Sequence, residues 1–333
     1  MRTVDCRIRP AVPALLLLAC ACSSLSTEQA AELAGFQRRA ALYFDGGRYD
    51  QSMTQIDRGL EIDPEDYKLN AMKGGILLLR SGDAFGADHR QLDAATELLQ
   101  RMFDERSLGR HEPYLLLNYG RALQKQGLRR LGEAIRLEGQ AERAVAEQDP
   151  EGMREQAREQ RAESERLLLQ ADAMLAELVE RGELLRLAHN HRLQIALQRG
   201  DDAAFVAEAK AFQEQMQKAQ EQVRKEIERT NNAAYEADQL ELLRLLRGEE
   251  LGVRQLVAEH HYARKQFDLA LAQLDRILEI DPRRTVDYYN RGRVLLEVGR
   301  AEEAKADFRR FLADPTVPST SEKAAFALRA IER

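Results

Sequence analysis

Beyond residue 22 the chain has no cysteine; its three, Cys6, Cys20 and Cys22, all lie at the N-terminal end. The body can therefore hold no disulfide framework, no thiolate zinc site and no cysteine nucleophile. Tryptophan is absent and aromatics reach only 6%. The few prolines and glycines sit between apolar stretches rather than inside them, and no window alternates β-branched and aromatic residues with polar ones, which excludes a sheet. At a formal charge of −6 no basic stripe is present to neutralise a phosphate backbone, so a nucleic-acid partner is not expected. Gly74-Gly75 follows no strand, and neither a Gly-rich phosphate loop ending in lysine nor a Gly-x-Ser-x-Gly elbow occurs. What is there is alanine, leucine, arginine, glutamate and glutamine, all good helix formers. With 333 residues, 44% of them hydrophobic, there is ample material for a core or a row of small ones. The class is all-α.

The first residues are of a different kind. Met1–Ala19 carries Arg2, Arg7 and Arg9 against Asp5, so its removal takes the formal charge from −6 to −8. Those arginines precede an apolar run, Ala11 to Ala19, too short to span a bilayer as a stable helix, and then Leu17-Leu18-Ala19-Cys20. A charged start, a short apolar core and small residues before a cut describe an export signal. Leu-Leu-Ala-Cys resembles the lipobox of bacterial lipoproteins, which implies that Cys20 becomes the acylated first residue. Cys22, with Ala19 at its minus-three position, is a second lipidation candidate. A plain secretory cut after Ala21 is the other reading. Two or more acyl chains anchor stably where one does not. Neither Ala21 nor Ser23 is an aspartate, which by the same resemblance directs the protein to the outer membrane, facing the periplasm. Residues 20–30 then read as a tether.

Leu-Glu-Ile-Asp-Pro occurs twice, at Leu60–Pro64 and Leu278–Pro282, each copy closing an amphipathic stretch and each followed at one offset by a glycine, Gly74 or Gly292. A short recurring helix-turn-helix unit cannot bury its apolar face alone and must stack on its neighbours. Phe36, Ala40, Tyr43, Gly47, Tyr49, Ser52, Ile56, Leu60 and Ile62 fall where a tetratricopeptide repeat places its signature residues. The chain thus resembles that family, whose unit is 34 residues long. Small Ala40 and Ser52 let two helices approach, Gly47 ends the first, and Asp63-Pro64 ends the second. A second unit begins at Tyr67, with an insertion at residues 83–89 and its second helix around 93–103. A third starts near Pro113, with Tyr119-Gly120, Leu123 and a turn at Gly127. Two more follow from Leu251 (Ala258, Phe267, Ala270, Leu274, Leu278) and Thr285 (Tyr288, Gly292, Leu295, Gly299, Ala304, Phe308, Leu312). Arg39 and Arg291 depart from the pattern, standing where an apolar residue is usual, as does His261 in place of an aromatic.

The middle, 128–248, fits poorly. Asp149-Pro150 reads as an N-cap with proline in the first turn, dividing a helix over 128–148 from one over 150–180. Residues 151–166 are almost wholly charged or amide, a solvated helix held by pairs four residues apart or no stable helix at all. Phe205, Ala209, Phe212, Met216, Ala219, Val223 and Ile227 form an apolar seam of coiled-coil type. The region is either long antiparallel helices that project from the solenoid or degenerate repeats with long helices. Ser319 to Glu322 is a capping-box pattern opening a last helix, 322–331. The expected organisation is therefore a signal over 1–19, a tether over 20–30, repeats over 31–127, elongated helices over 128–248 and repeats with a capping helix over 249–333.

His189 and His191 stand two apart and point to different helix faces, so they cannot share a metal. His260-His261 is explained by packing, and His89 and His111 lack acidic or cysteine partners. Neither a metal nor a cofactor is expected, and no catalytic residue is assigned. In the family, positions two, five, nine, twelve and thirteen of each unit line a groove. Carried onto this chain, they include Gln37 and Phe44, then Gln255, Glu259 and Tyr262, then Tyr289 and Arg293. Tyrosine, phenylalanine and arginine are interface residues. Members that clamp a C-terminal carboxylate use lysine and asparagine where this chain has Gln255 and Glu259, so binding of chaperone tails is not implied. The expected function is a non-catalytic, lipid-anchored envelope scaffold that binds a protein partner, with no small-molecule substrate. The alternative is a soluble periplasmic spacer acting through the coiled-coil segment.

Overall fold

A computed structural model describes residues 25–82, 89–105, 112–143, 149–318 and 320–332. Among these are thirteen helices and no strand: α1 (Thr27–Asp45), α2 (Tyr49–Ile62), α3 (Tyr67–Arg80), α4 (His89–Glu105), α5 (Pro113–Glu142), α6 (Pro150–Glu180), α7 (Leu185–Arg199), α8 (Asp202–Arg229), α9 (Ala233–Ala263), α10 (Phe267–Ile280), α11 (Thr285–Glu297), α12 (Ala301–Leu312) and α13 (Glu322–Glu332). Odd and even helices pair in succession from α1/α2 to α11/α12; each pair leans on the next, and α13 closes the row against α12. The signal segment, Cys20, Cys22, the greater part of the 83–89 insertion, His111 and Ser319 lie outside the described residues. No described helix is long and apolar enough to cross a membrane.

The two repeats of the pentapeptide do the same work. Asp63 and Asp281 stop α2 and α10 in extended backbone, at φ −136° and −142°, as the following proline requires. Ala40 and Ser52 are fully buried, and Ser52 Oγ donates to the Ala40 carbonyl at 2.9 Å. Gly47 and Gly299 turn the chain at φ +71° and +78°; at the corresponding turn Lys265 takes φ +57°, a conformation that costs a side chain about 1–2 kcal/mol.

The charges that interrupt the repeat pattern turn out to brace it. Arg39 Nε donates to Gln55 Oε1 at 2.8 Å, sixteen residues on. Arg291 reaches Asp307 by two bonds of 2.7 and 2.8 Å, sixteen on, and Asp275 at 2.7 Å, sixteen back. Lys73 repeats the backward link to Asp57 at 3.1 Å. A cation on the first helix of a pair thus ties its own second helix or the preceding one, where an apolar side chain could only pack. His261 is buried and lies 2.7 Å from Gln266 Oε1.

The middle continues the same pairing with longer helices, so the two readings of it merge. α5 and α6 have 30 and 31 residues, about 45 Å each at ~1.5 Å per residue. Their outer halves share only a small cluster of Ala134, Leu137 and Ala157. Polar bonds between the two helices add to it: Arg161 to Glu138 by two bonds of 2.7 Å, and Arg130 Nη1 to Gln160 Oε1 at 3.1 Å. Asp149 caps α6 as expected, accepting from the Gly152 N–H at 2.9 Å. Gly127, by contrast, ends nothing: no helix begins at 128, because α5 runs unbroken through it. The glycine serves close approach instead. A Cβ there would meet Leu168 Cγ at 3.0 Å, and Ser164 Oγ donates to the Gly127 carbonyl at 2.8 Å. Likewise α9 starts well before Leu251, so residues 127/128 and 248/249 divide helices rather than connect them. Five of the seven α8 seam residues are buried and Ala219 and Ile227 half-buried; their partners are Leu193 and Ala196 of α7 and Leu243, Leu246, Val253 and Val257 of α9. At the end, Ser321 Oγ caps α13, accepting from the Ala324 N–H at 3.2 Å.

Candidate partner-binding groove

The first helices of successive pairs, α9 and α11, lie side by side with α10 behind them, and a pocket of about 290 Å³ opens between them. Ala258, Leu274 and Val294 form its apolar floor; Gln255, Glu259, Tyr262, Asn290 and Arg293 form its polar rim. Helical spacing explains the set, since Gln255, Glu259 and Tyr262 recur at four and three residues on one face of α9, and Asn290 and Arg293 at three on α11.

The rim is held in place by its own bonds. Arg293 Nη2 donates to Tyr262 Oη at 2.9 Å while its Cζ stands 5.1 Å from the ring centroid. Gln255 Nε2 donates to Glu259 Oε1 at 3.1 Å, and Gln255 Oε1 accepts from Arg284 Nη2 at 2.9 Å. Arg284 is fixed in turn by Asp287, a carboxylate only 1% exposed, at 2.6 Å. One carboxylate, one guanidinium and two amides around an apolar floor suit an extended peptide, whose backbone needs donors and acceptors and whose side chains need a dry seat. The lining sets no nucleophile beside a base, and the Tyr262 hydroxyl is occupied by Arg293.

Four of the seven groove residues read from sequence, Gln255, Glu259, Tyr262 and Arg293, thus converge on one pocket. Three do not. Tyr289 is core, 7% exposed, with ring centroids 5.1 to 6.0 Å from Phe308, Phe311 and Phe326; helix α13 brings Phe326 over it. Phe44 is core too, edge-on to Tyr49 and to Tyr114 of α5 at 5.8 and 5.5 Å. Gln37 is spent on a brace, its Nε2 donating to Asp66 Oδ2 at 2.6 Å.

A second cavity, about 260 Å³, was not anticipated. It lies between the α1–α2 turn, α5, α7 and α9, with Arg121, Asn190 and His191 among its lining residues. Arg121 falls at the ninth position of the unit starting at Pro113, so the resemblance held the signal that finds it. Asn190 and His191 sit on α7, where the repeat pattern fades. His189 and His191 do go separate ways: His189 Nδ1 lies 2.7 Å from Glu208 Oε2, His191 Nδ1 3.1 Å from Gln124 Oε1. Burial, with the Arg121 charge adding to it, lowers the His191 pKa to about 3, so this ring stays neutral. Among the described residues no group of three or more His, Cys, Asp or Glu is placed to hold a metal.

Residues 258–331 match the family model for the tetratricopeptide repeat, the stretch from the end of α9 through α13 that includes most of the pocket. A comparison with curated proteins gave no match. Among solved structures, the chain is similar to a tetratricopeptide repeat protein from Parabacteroides merdae, at 13% identity over 91% of this chain and 100% of that one, with a TM-score of 0.30. It is also similar to the TPR domain of P58(IPK), at 14% identity over 90% and 89% and a TM-score of 0.23. Yeast Tom70 is similar at 13% identity over 90% and 69%, again with a TM-score of 0.23.

Proposed function

We propose that this protein is a non-catalytic scaffold that holds a protein partner along the face made by the first helices of its pairs, with the α9/α11 pocket as the main contact. The observation that carries this reading is the convergence of Gln255, Glu259, Tyr262 and Arg293, from two successive pairs, on one pre-braced pocket with an apolar floor. Tetratricopeptide-repeat proteins are generally scaffolds of this kind, and an aromatic stacked under an arginine is the residue chemistry that anchors interfaces.

Replacing Tyr262 and Arg293 by alanine together is expected to weaken partner capture from detergent-solubilised membranes by at least ~30-fold, the loss of one strong anchor. Far-UV circular dichroism should stay unchanged, since neither residue is fully buried and Tyr262 packs only at the edge of the C-terminal core. Full retention of the wild-type partners by the double variant rejects the pocket as the contact.

The export signal and the lipobox-like Leu17–Cys20 support delivery to the cell envelope and a lipid anchor there, on Cys20 or, as the alternative, Cys22. The double variant Cys20→Ser, Cys22→Ser should move the protein from the membrane fraction to the soluble one and abolish palmitate labelling; a membrane-bound double variant removes the anchor from the proposal. A spacer acting through the α8 seam finds less support, because that seam is covered by α7 and α9.

A further inference from the structure

Arg121 carries a partly buried guanidinium that pairs with no acid among the described residues. Its one hydrogen bond among the described residues goes from Nη1 to the neutral Asn118 Oδ1, at 3.2 Å. Burial holds its pKa below the ordinary arginine value, and no carboxylate acts to raise it. A withdrawn charge in this state is costly to keep unpaired, and the cavity beside it is the direction in which a counter-charge can approach. The two acids on that cavity's wall are already committed. Asp45 Oδ2 accepts from Tyr114 Oη at 2.9 Å, and burial raises the Asp45 pKa; Glu249 is ion-paired with Arg186. His191 is neutral and adds no competing cation.

Beside Asn190 and Tyr49, much of the remaining wall is apolar, with Leu117 on one side and Leu187, Leu245 and Leu246 on others. The cavity opens toward a larger cleft of about 570 Å³ that shares Asp45, Gly46, Leu242, Leu245 and Leu246 with it. That cleft runs between the α1–α2 turn, the second half of α8 with Glu226, and the first half of α9; Arg48 and Asp238 join the turn to α9 across 3.7 Å. A planar guanidinium presents parallel N–H donors that match a carboxylate better than a spherical or tetrahedral anion, and leucine walls favour an aliphatic neighbour.

We infer that this cavity is a second binding site, taking a glutamate or aspartate side chain flanked by an aliphatic residue on an extended segment of a protein partner, with the carboxylate on Arg121. The site is separate from the α9/α11 pocket, so either can fail while the other stands.

The test compares two peptides on the full chain, Ac-Leu-Glu-Leu-NH2 and Ac-Leu-Gln-Leu-NH2, with inorganic phosphate as a third probe. Binding is followed by the arginine Nε–H resonances of ¹⁵N-arginine-labelled protein. The Glu peptide should shift the Arg121 resonance saturably and bind about tenfold or more tightly than the Gln peptide, as a charge-assisted pair implies. Arg121→Gln should abolish that preference, and the control Arg283→Gln, at an arginine 91% exposed, should leave it intact. Should Arg121→Gln fold poorly, Arg121→Lys keeps the charge without the fork, and a preference reduced several-fold is expected. Equal binding of the two peptides, or no saturable movement of the Arg121 signal, overturns the inference. Displacement of the Glu peptide by phosphate at comparable concentration also overturns it, showing a general anion site instead.

Discussion

Phe308→Ala should destabilise the C-terminal pairs by about 3–5 kcal/mol, and adding Gly292→Ala to that variant should recover part of the loss. Phe308 is fully buried, with its ring centroid 5.9 Å from those of both Tyr289 and Phe326. It fills the space where α11 and α12 touch and α13 closes over them. Gly292 makes that approach possible, since a Cβ on it would stand 2.8 Å from Phe308 Cε1 and 3.0 Å from Cζ. In the wild type Gly292→Ala is therefore expected to destabilise, although alanine is favoured over glycine by about 1 kcal/mol inside a helix. With the ring gone the clash is gone too, and the helix preference and the partial refilling of the cavity both act in favour of alanine. The sign of the Gly292→Ala effect should reverse between the two backgrounds. Denaturant titration of the four proteins, with amide exchange read in α11 to α13, measures this coupling. Additive costs would show that the ring and the glycine are not packed against one another as described. Because a stacked array transmits stability mainly between neighbours, exchange in α1 to α4 should hardly change.

Glu112→Gln is expected to stabilise the protein by about 1–3 kcal/mol at pH 8 and to have little effect at pH 4. Glu112 caps α5, its Oε2 accepting from the Leu115 N–H at 3.1 Å. Burial pushes its carboxyl up to about 7 from an ordinary 4.5, and Asp66 adds to the rise, against opposing contributions from the Leu115 and Tyr114 N–H groups and from Lys68. The folded state therefore holds a proton that the unfolded chain releases at lower pH. Stability from this group is complete below about pH 4.5 and is lost as the pH rises toward 7. At about 1.4 kcal/mol for each tenfold change in proton affinity, the full difference is near 3 kcal/mol, of which partial access to water leaves a fraction. Glutamine keeps an oxygen for the cap and carries no charge at any of these values. Urea midpoints of both proteins between pH 4 and 8 decide the matter: the curves should converge at the acid end and separate at the alkaline end. Parallel curves would place the pH dependence elsewhere.

Much of the fold was legible because its signals are local. The Asp63-Pro64 and Asp281-Pro282 stops, the glycine turns at 47 and 299, the Asp149 cap and the α8 seam each depend on a few consecutive residues. Gly127 was misread for the same reason. A glycine that ends a helix and one that admits a neighbouring helix look alike in sequence, and only Leu168 and Ser164 of α6 distinguish them. Arg39 and Arg291 looked like lapses in an apolar pattern because their acceptors lie sixteen residues away on other helices.

The candidate site divides along the same line. Sequence alone determined that the chain forms paired helices, where most of them start and stop, and which turns of the first helices face a common side, since periodicity and capping are properties of short stretches. Tertiary structure decided which of those positions are open. Tyr289 and Phe44 face the expected side yet are sealed, one by Phe326 of α13 and the other by Tyr114 of α5. Tyr262 and Arg293 are free to form a rim, and Arg121 is left facing a cavity by elements far from it in sequence. The reason is that exposure belongs to the neighbour as much as to the residue: it is set by what packs on top, and nothing within one turn of helix carries that information.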